Sequence, residues 1–311
     1  MSKAAAPCQN SPEEAFGLTG PAPRWLDQAP LVDDLRLLGD PAVPLSTQAL
    51  MNVAAKYFFA FVHPGAQANP VPPSEVGALL GLFARCHSLN EPGDDIEIMN
   101  FLRRFAPALS LAGDPETAAR MLQALLGQRV PETGRFLGLD LYTGSGLLVL
   151  GQYLLARRAG IGAVEVWGLE EDGEIAERAG ALLRNLGAGN AAYASPSRVA
   201  SYELVGGRNL ALVTAAGTAG TCADLCDERF FGAYAALFEA CGPALDRAEF
   251  FPEGLIVYSR ETNASLILSH ETGFQRPAEF EGAVLHPQAW IVNGEVLPLH
   301  RLSRGQRSAG D

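Results

Sequence analysis

A doubly wound α/β sheet preceded by an all-helical unit is the architecture this sequence predicts, and three observations carry it. Apolar positions recur at three- and four-residue spacing from Leu31 to about Leu126, the period of helices that bury one face. After Pro131 the pattern changes to short apolar runs alternating with amphipathic segments, as in a parallel sheet covered on both faces. The first of those runs ends in the glycine-rich turn Gly144-Ser145-Gly146, and the second ends in Gly168-Leu169-Glu170-Glu171-Asp172. Together they read as the cofactor-binding corner of a class I S-adenosylmethionine-dependent methyltransferase-like, Rossmann-like fold.

The 311 residues, 48% of them hydrophobic, suffice for two modest cores. Three segments follow from the composition. Residues 1–30, with Pro7, Pro12, Pro21, Pro23 and Pro30, form an extended lead-in. Residues 31–130 form a helical bundle, and residues 131–311 form the cofactor-binding domain. Lys plus Arg number 23 against 35 Asp plus Glu, a net charge of −12, which argues against broad contact with nucleic acid or an anionic membrane. A small-molecule substrate fits that balance. The N-terminus lacks the apolar core of a signal peptide, and no apolar stretch approaches the roughly 20 residues of a membrane helix, so a cytoplasmic location is expected. The five cysteines, Cys8, Cys86, Cys222, Cys226 and Cys241, are scattered and expected as free thiols. Cys222 and Cys226 have no companion pair at zinc-ligand spacing, so no metal site is expected.

Within the helical unit, the patterns Leu31-Val32-x-x-Leu35-x-Leu37-Leu38 and Leu50-Met51-x-Val53-Ala54-x-x-Phe58-Phe59 each predict a helix. Pro70, Pro72 and Pro73 break the chain, and Ser74 is placed to cap the helix through Leu79, Leu80, Leu82 and Phe83. After Glu91-Pro92-Gly93, a helix with Asp94, Asp95 and Glu97 at its start suits the helix dipole. The second domain reads as strands at Phe136–Leu141, Ala163–Leu169, Ala191–Ala194, Leu210–Thr214 and Gly254–Tyr258, separated by helices at Leu147–Ala159, Glu174–Leu186 and Phe230–Leu245. A last pair, around Ala283-Val284-Leu285 and Ile291–Leu299, is expected to close the sheet at its edge.

A glycine turn after the first strand lets a cofactor approach the backbone. Gly144, Ser145, Gly146 and the following Leu147 occupy that turn, with Tyr142 before it in position to stack or hydrogen-bond. An acidic side chain at the end of the second strand can hold a ribose diol. Glu170 has that place, Glu171 is beside it, and Asp172 suits the cap of the next helix. Thr214 and Ala215 end the fourth strand. No third glycine follows Gly146 at the offset that a nicotinamide dinucleotide site shows, which weakens a dehydrogenase reading.

The run Gly144-Ser145-Gly146-Leu147-Leu148-Val149-Leu150-Gly151 resembles the Gly-Ser-Gly-Pro-Leu-Pro-Leu-Thr run of nicotianamine synthases and their bacterial relatives, the staphylopine- and pseudopaline-type metallophore synthases, without the two prolines. Val284-Leu285-His286-Pro287-Gln288-Ala289-Trp290-Ile291-Val292-Asn293-Gly294 is similar to that family's Val-Val-His-Pro-x-x-x-Val-Val-Asn-Ser segment. Arg260 through Leu268, followed by Gly273-Phe274, is similar to a third, with Ala264 in place of a glycine and no tyrosine. Val213-Thr214-Ala215-Ala216 has small residues where amino-methyltransferases carry Asn/Asp-Pro-Pro-Tyr.

The resemblance spans residues 135 to 300 and implies transfer of the 3-amino-3-carboxypropyl group of S-adenosylmethionine, as co-substrate, to the amine of an amino acid such as histidine, releasing methylthioadenosine. It implies a carboxylate base near the acceptor amine, for which Glu97 is the candidate. Arg260 is the candidate partner of substrate carboxylates. His87 either faces the cleft or packs in the bundle, and His286 shapes a turn before Pro287. A conventional small-molecule methyltransferase and a non-catalytic S-adenosylmethionine-binding protein are the alternatives. A homodimer is a further expectation.

Overall fold

The computed structural model describes residues 22–86, 96–130, 134–215, 228–269 and 274–298. Helices α1 (Leu31–Leu38), α2 (Thr47–Val62), α3 (Pro73–Arg85), α4 (Ile96–Arg104), α5 (Ala106–Leu109) and α6 (Pro115–Leu126) precede the first strand. The sequence of α2 is apolar on every side, which suits a helix enclosed all round; Leu50 and every residue from Asn52 to Val62 are buried. Ser46 starts it by accepting the Ala49 N–H at 3.1 Å. Lys56 is fully buried, and its Nζ donates to Asp27 Oδ1 at 2.5 Å and to Asp34 Oδ2 at 2.6 Å. A buried ammonium is tolerated only with such partners, and the cluster ties the stretch before α1 to α2.

The start of α3 differs from expectation. Ser74 lies inside the helix, which opens on Pro73 with Pro72 at the cap and no side-chain cap bond. Proline has a helical φ already and no N–H to satisfy, so the position needs no capping hydroxyl.

Strands β1 (Arg135–Leu141), β2 (Ala163–Glu170), β3 (Asn190–Tyr193), β4 (Leu212–Thr214) and β5 (Glu249–Phe251) form a parallel sheet in the order β3-β2-β1-β4-β5. Helix α7 (Leu147–Arg158) joins β1 to β2, α8 (Gly173–Asn185) joins β2 to β3, and α9 (Glu228–Cys241) lies between β4 and β5. The chain steps outward from β1 in both directions, which is the Rossmann-like topology with its switch point between β1 and β4.

Two strand assignments need correction. The fifth parallel position, expected of Gly254–Tyr258, belongs to the three-residue β5. Strands β6 (Gly254–Ser259), β7 (Ala264–Ser269), β8 (Leu285–Val292) and β9 (Glu295–Pro298) instead form a separate antiparallel sheet in the order β7-β6-β8-β9. The last pair therefore does not close the parallel sheet. An apolar run reads alike in either kind of sheet, and Pro252, with no N–H to give a ladder, separates β5 from β6. His286 also lies within β8, opposite Tyr258, instead of in a turn.

The core runs unbroken from helices to sheet: one cluster holds Phe58, Phe83 and Leu122 together with Phe136, Leu150 and Leu183. The turn between β8 and β9 also reaches the helical unit, where Gln128 Nε2 donates to Asn293 Oδ1 at 2.6 Å. No helix among the described residues is long and apolar enough to cross a membrane.

Candidate cofactor site

At the carboxyl edge of the parallel sheet β1, β2 and β4 stop side by side, with Leu141 against Leu169 and Asp140 against Thr214. The chain leaves β1 through a turn in which Tyr142, Gly144 and Gly146 have φ of 54°, 54° and 87°. Left-handed backbone costs an L residue about 1–2 kcal/mol, so the surroundings must hold Tyr142 there. At Gly146 there is no room for a side chain: a Cβ would come within 2.9 Å of both Leu183 and the Tyr57 hydroxyl. Gly146 caps α7, whose first residue, Leu147, is buried.

The helical unit holds this turn. Tyr57 on α2 donates its hydroxyl to the Ser145 carbonyl at 2.7 Å, and the Ser145 N–H donates to the Ala108 carbonyl of α5 at 3.0 Å. On the sheet side, the Thr143 N–H donates to the Leu169 carbonyl at 2.9 Å. The Thr143 side chain lies against Gly168, where a Cβ would meet its Oγ1 at 2.3 Å.

Asp140 is buried at the centre of the edge. It accepts hydroxyl bonds from Thr143 at 2.6 Å and from Thr214 at 2.5 Å, and Gln152 Nε2 donates to the Thr214 hydroxyl at 2.8 Å. Burial pushes its carboxyl up to about 7; the two threonine hydroxyls pull the other way, and the charge of Glu170 adds to the rise. Glu170, also buried, ends β2. Its Oε2 accepts the Gly144 N–H at 2.9 Å and its Oε1 the Asp172 N–H at 3.0 Å. Burial raises its pKa despite these backbone bonds. The Glu171 N–H bonds this carboxylate as well, so three backbone donors hold it and its two oxygens together keep capacity for about one further donor. Glu171 accepts the Ser195 hydroxyl at 2.5 Å, which draws the segment after β3 to the end of β2. The Asp172 Oδ1 caps α8 by accepting the N–H groups of Glu174 and Ile175 at 2.9 and 3.1 Å.

Tyr142, Gly144, Ser145, Gly146, Leu147, Glu170, Glu171, Thr214 and Ala215 thus gather at one edge. Of the residues expected on the acceptor side, Glu97 and Arg260 are among those described. Glu97 is exposed in the first turn of α4. Arg260 was expected at the end of the fifth parallel strand; it is exposed just past β6, in the hairpin to β7, because β6 belongs to the other sheet. His87 lies outside the described residues, as do Asp94, Asp95, Cys222 and Cys226. Sequence reasoning missed Asp140, Thr143, Tyr57 and Ser195 as members of the site. Asp140 had a signal, an acid at the end of a strand six residues before Gly146. Tyr57 had none.

The chemistry of this edge is acidic. Asp140, Glu170, Glu171 and Asp172 cluster at the turn, and a carboxylate already takes the Gly144 N–H. A phosphate, which needs such N–H groups and a positive field, would meet repulsion here. A nucleoside without phosphates, neutral or cationic, suits the site.

No protein-family model matches the sequence, and no curated protein matches it. Among solved structures the chain is similar to one described as a protein-L-isoaspartate O-methyltransferase (β-aspartate methyltransferase) from Plasmodium falciparum in complex with S-adenosyl-L-homocysteine, at 11% identity and a TM-score of 0.33, over 87% of this chain and 97% of that one. It is also similar to the CMeT domain of the citrinin polyketide synthase, at 14% identity and a TM-score of 0.35, over 68% of this chain and 66% of that one. At such TM-scores the strand order, not the likeness, defines the fold.

Proposed function

We propose that this protein binds S-adenosylmethionine at the carboxyl edge of its parallel sheet and transfers a group from it to a small molecule. The observation that carries this reading is the buried Glu170 carboxylate at the end of β2, facing the glycine turn through its bond to the Gly144 N–H. A carboxylate so placed suits the ribose hydroxyls of a nucleoside. The surrounding acids favour a sulfonium cation over a dinucleotide phosphate.

The finer reading is aminocarboxypropyl transfer, and its support is the sequence resemblance to nicotianamine synthase-like enzymes. In that reaction the acceptor nitrogen attacks the γ-carbon of the methionine portion. The carbon–nitrogen bond forms as the carbon–sulfur bond breaks, methylthioadenosine leaves with the electron pair, and the new ammonium yields a proton to a base. Glu97 is the base the resemblance suggests and Arg260 the partner it suggests for the acceptor's carboxylate, while His87 either faces the cleft or packs in the bundle.

The nucleoside released from S-adenosylmethionine and a panel of amino acids, identified by chromatography, tests this. Methylthioadenosine supports the finer reading, and S-adenosylhomocysteine replaces it with methyl transfer. Binding without either product leaves a binding protein. Glu170→Gln should weaken S-adenosylmethionine binding about tenfold or more in calorimetry; unchanged affinity would sink the site.

A further inference from the structure

Three tyrosines are buried among the described residues: Tyr57, Tyr202 and Tyr234. A buried phenol hydroxyl ordinarily finds a hydrogen-bond partner, because folding has taken its bonds to water away. Two of the three follow that rule. Tyr57 donates to the Ser145 carbonyl at 2.7 Å, and the Tyr202 hydroxyl lies within reach of the Pro196 and Ala233 carbonyls, at 2.7 and 3.1 Å. Tyr234, 3% exposed on α9, makes no hydrogen bond to any described residue. Nor is its hydroxyl among the described atoms that are both unbonded and completely shielded, so its unused donor opens on space and not on packed apolar atoms.

The ring itself is held firmly. Phe274 stacks on it with centroids 4.1 Å apart and planes 21° from parallel, and the Phe230 ring stands edge-on at 5.1 Å. Phe274 reaches this place from left-handed backbone, φ 52°, fixed by its N–H to the Ser269 carbonyl at 2.8 Å. A bulky residue keeps that conformation only where its surroundings enforce it. Tyr202, by bridging Pro196 and Ala233, ties α9 next to Tyr234 to the segment after β3, which Ser195 joins to Glu171. The tyrosine therefore belongs to the carboxyl edge. Burial pushes its pKa up and the charge of Asp140 adds to the rise, so the hydroxyl is within electrostatic reach of the cofactor corner and keeps its proton at neutral pH.

We infer that the Tyr234 hydroxyl recognises the amino-acid end of S-adenosylmethionine by donating a hydrogen bond to its α-carboxylate. The inference rests on the cofactor reading above and adds the residue that reads the end of the molecule away from the base. The acids of the corner suit the sulfonium and the α-ammonium but offer a carboxylate nothing. Tyr234 brings a donor without a second positive charge beside the sulfonium, and among the described residues that donor has no other task.

Calorimetric titration of the full chain with S-adenosylmethionine and with methylthioadenosine, which keeps the nucleoside and lacks the amino-acid end, tests it. Tyr234→Phe keeps the ring and its stack and removes only an unbonded hydroxyl, so Tm should stay within about 3 °C of wild type. The variant should bind S-adenosylmethionine about tenfold more weakly, with methylthioadenosine changed less than about twofold. Unaltered S-adenosylmethionine affinity overturns the inference and leaves the cofactor reading standing. An equal loss for both ligands overturns it too, since the hydroxyl would then serve the nucleoside. A larger fall in Tm has the same force, because it would show that the hydroxyl already has a partner within the chain. If the wild-type protein binds no S-adenosylmethionine, the cofactor reading itself fails and takes this inference with it.

Discussion

The carboxyl edge of the parallel sheet and the antiparallel sheet β7-β6-β8-β9 handle their polar atoms in different ways. At the parallel edge, buried Asp140, Thr143, Thr214 and Glu170 bond to one another or to backbone, and little of the edge meets solvent. In the antiparallel sheet the strands alternate, and Ile267 and Val296 are 56% and 58% exposed. Its hairpin turn carries an exposed bond from the Tyr258 hydroxyl to Asn263 at 2.8 Å. Such surface bonds exchange freely with water, whereas the buried ones cannot. Substitutions at the first region should therefore strike stability and binding together, and those at the exposed positions of the second should strike neither.

The largest expected effect is at the turn. Gly146→Ala must place a Cβ at positive φ against Leu183 and Tyr57, a loss of about 3 kcal/mol in urea unfolding, with S-adenosylmethionine binding lost as well. A stability change under about 0.5 kcal/mol would mean that the turn is looser than its packing implies.

A smaller effect depends on pH. The Asp140 carboxyl is raised by burial to about 7 from an ordinary value of 3.8, so between those values the folded chain holds a proton that the unfolded chain has released. Its stabilising contribution is complete below the ordinary value and is lost as pH rises through about 7. Asp140→Asn removes this dependence. Its stability relative to wild type should thus improve with rising pH, by up to about 1.4 kcal/mol per unit, and level off above neutrality. Urea titrations from about pH 6 to pH 8 check the sign; a difference independent of pH would show that Asp140 is ionised throughout.

The smallest effect belongs to the antiparallel sheet. Arg260→Ala, at an exposed hairpin position, should change stability by less than about 0.5 kcal/mol and leave S-adenosylmethionine affinity alone. If turnover nevertheless falls through KM for the acceptor, the hairpin does reach the substrate and the contrast between the two regions narrows.

Much of this architecture was legible in the sequence because the helices and parallel strands announce themselves by length and period. Leu147–Arg158 and Gly173–Asn185 were found almost to their ends. β5 escaped notice because three residues make no pattern, and the apolar run at Gly254–Ser259 then stood in for it. The corner was legible as glycines and an acid at fixed distances from strand ends. Its supports were not: the threonines around Asp140 come from two strands' ends, and Gln152 comes from the helix beneath. No local pattern records such partners.

Ser145 spends both halves of its main chain on the helical unit, its N–H on Ala108 and its carbonyl on Tyr57, which lies 88 residues earlier. On a ribosome, where N-terminal segments emerge and fold first, the turn is therefore made after the platform that receives it. The helical segment acts as a template for the turn's shape, and a chain started at β1 would have to find that shape unaided.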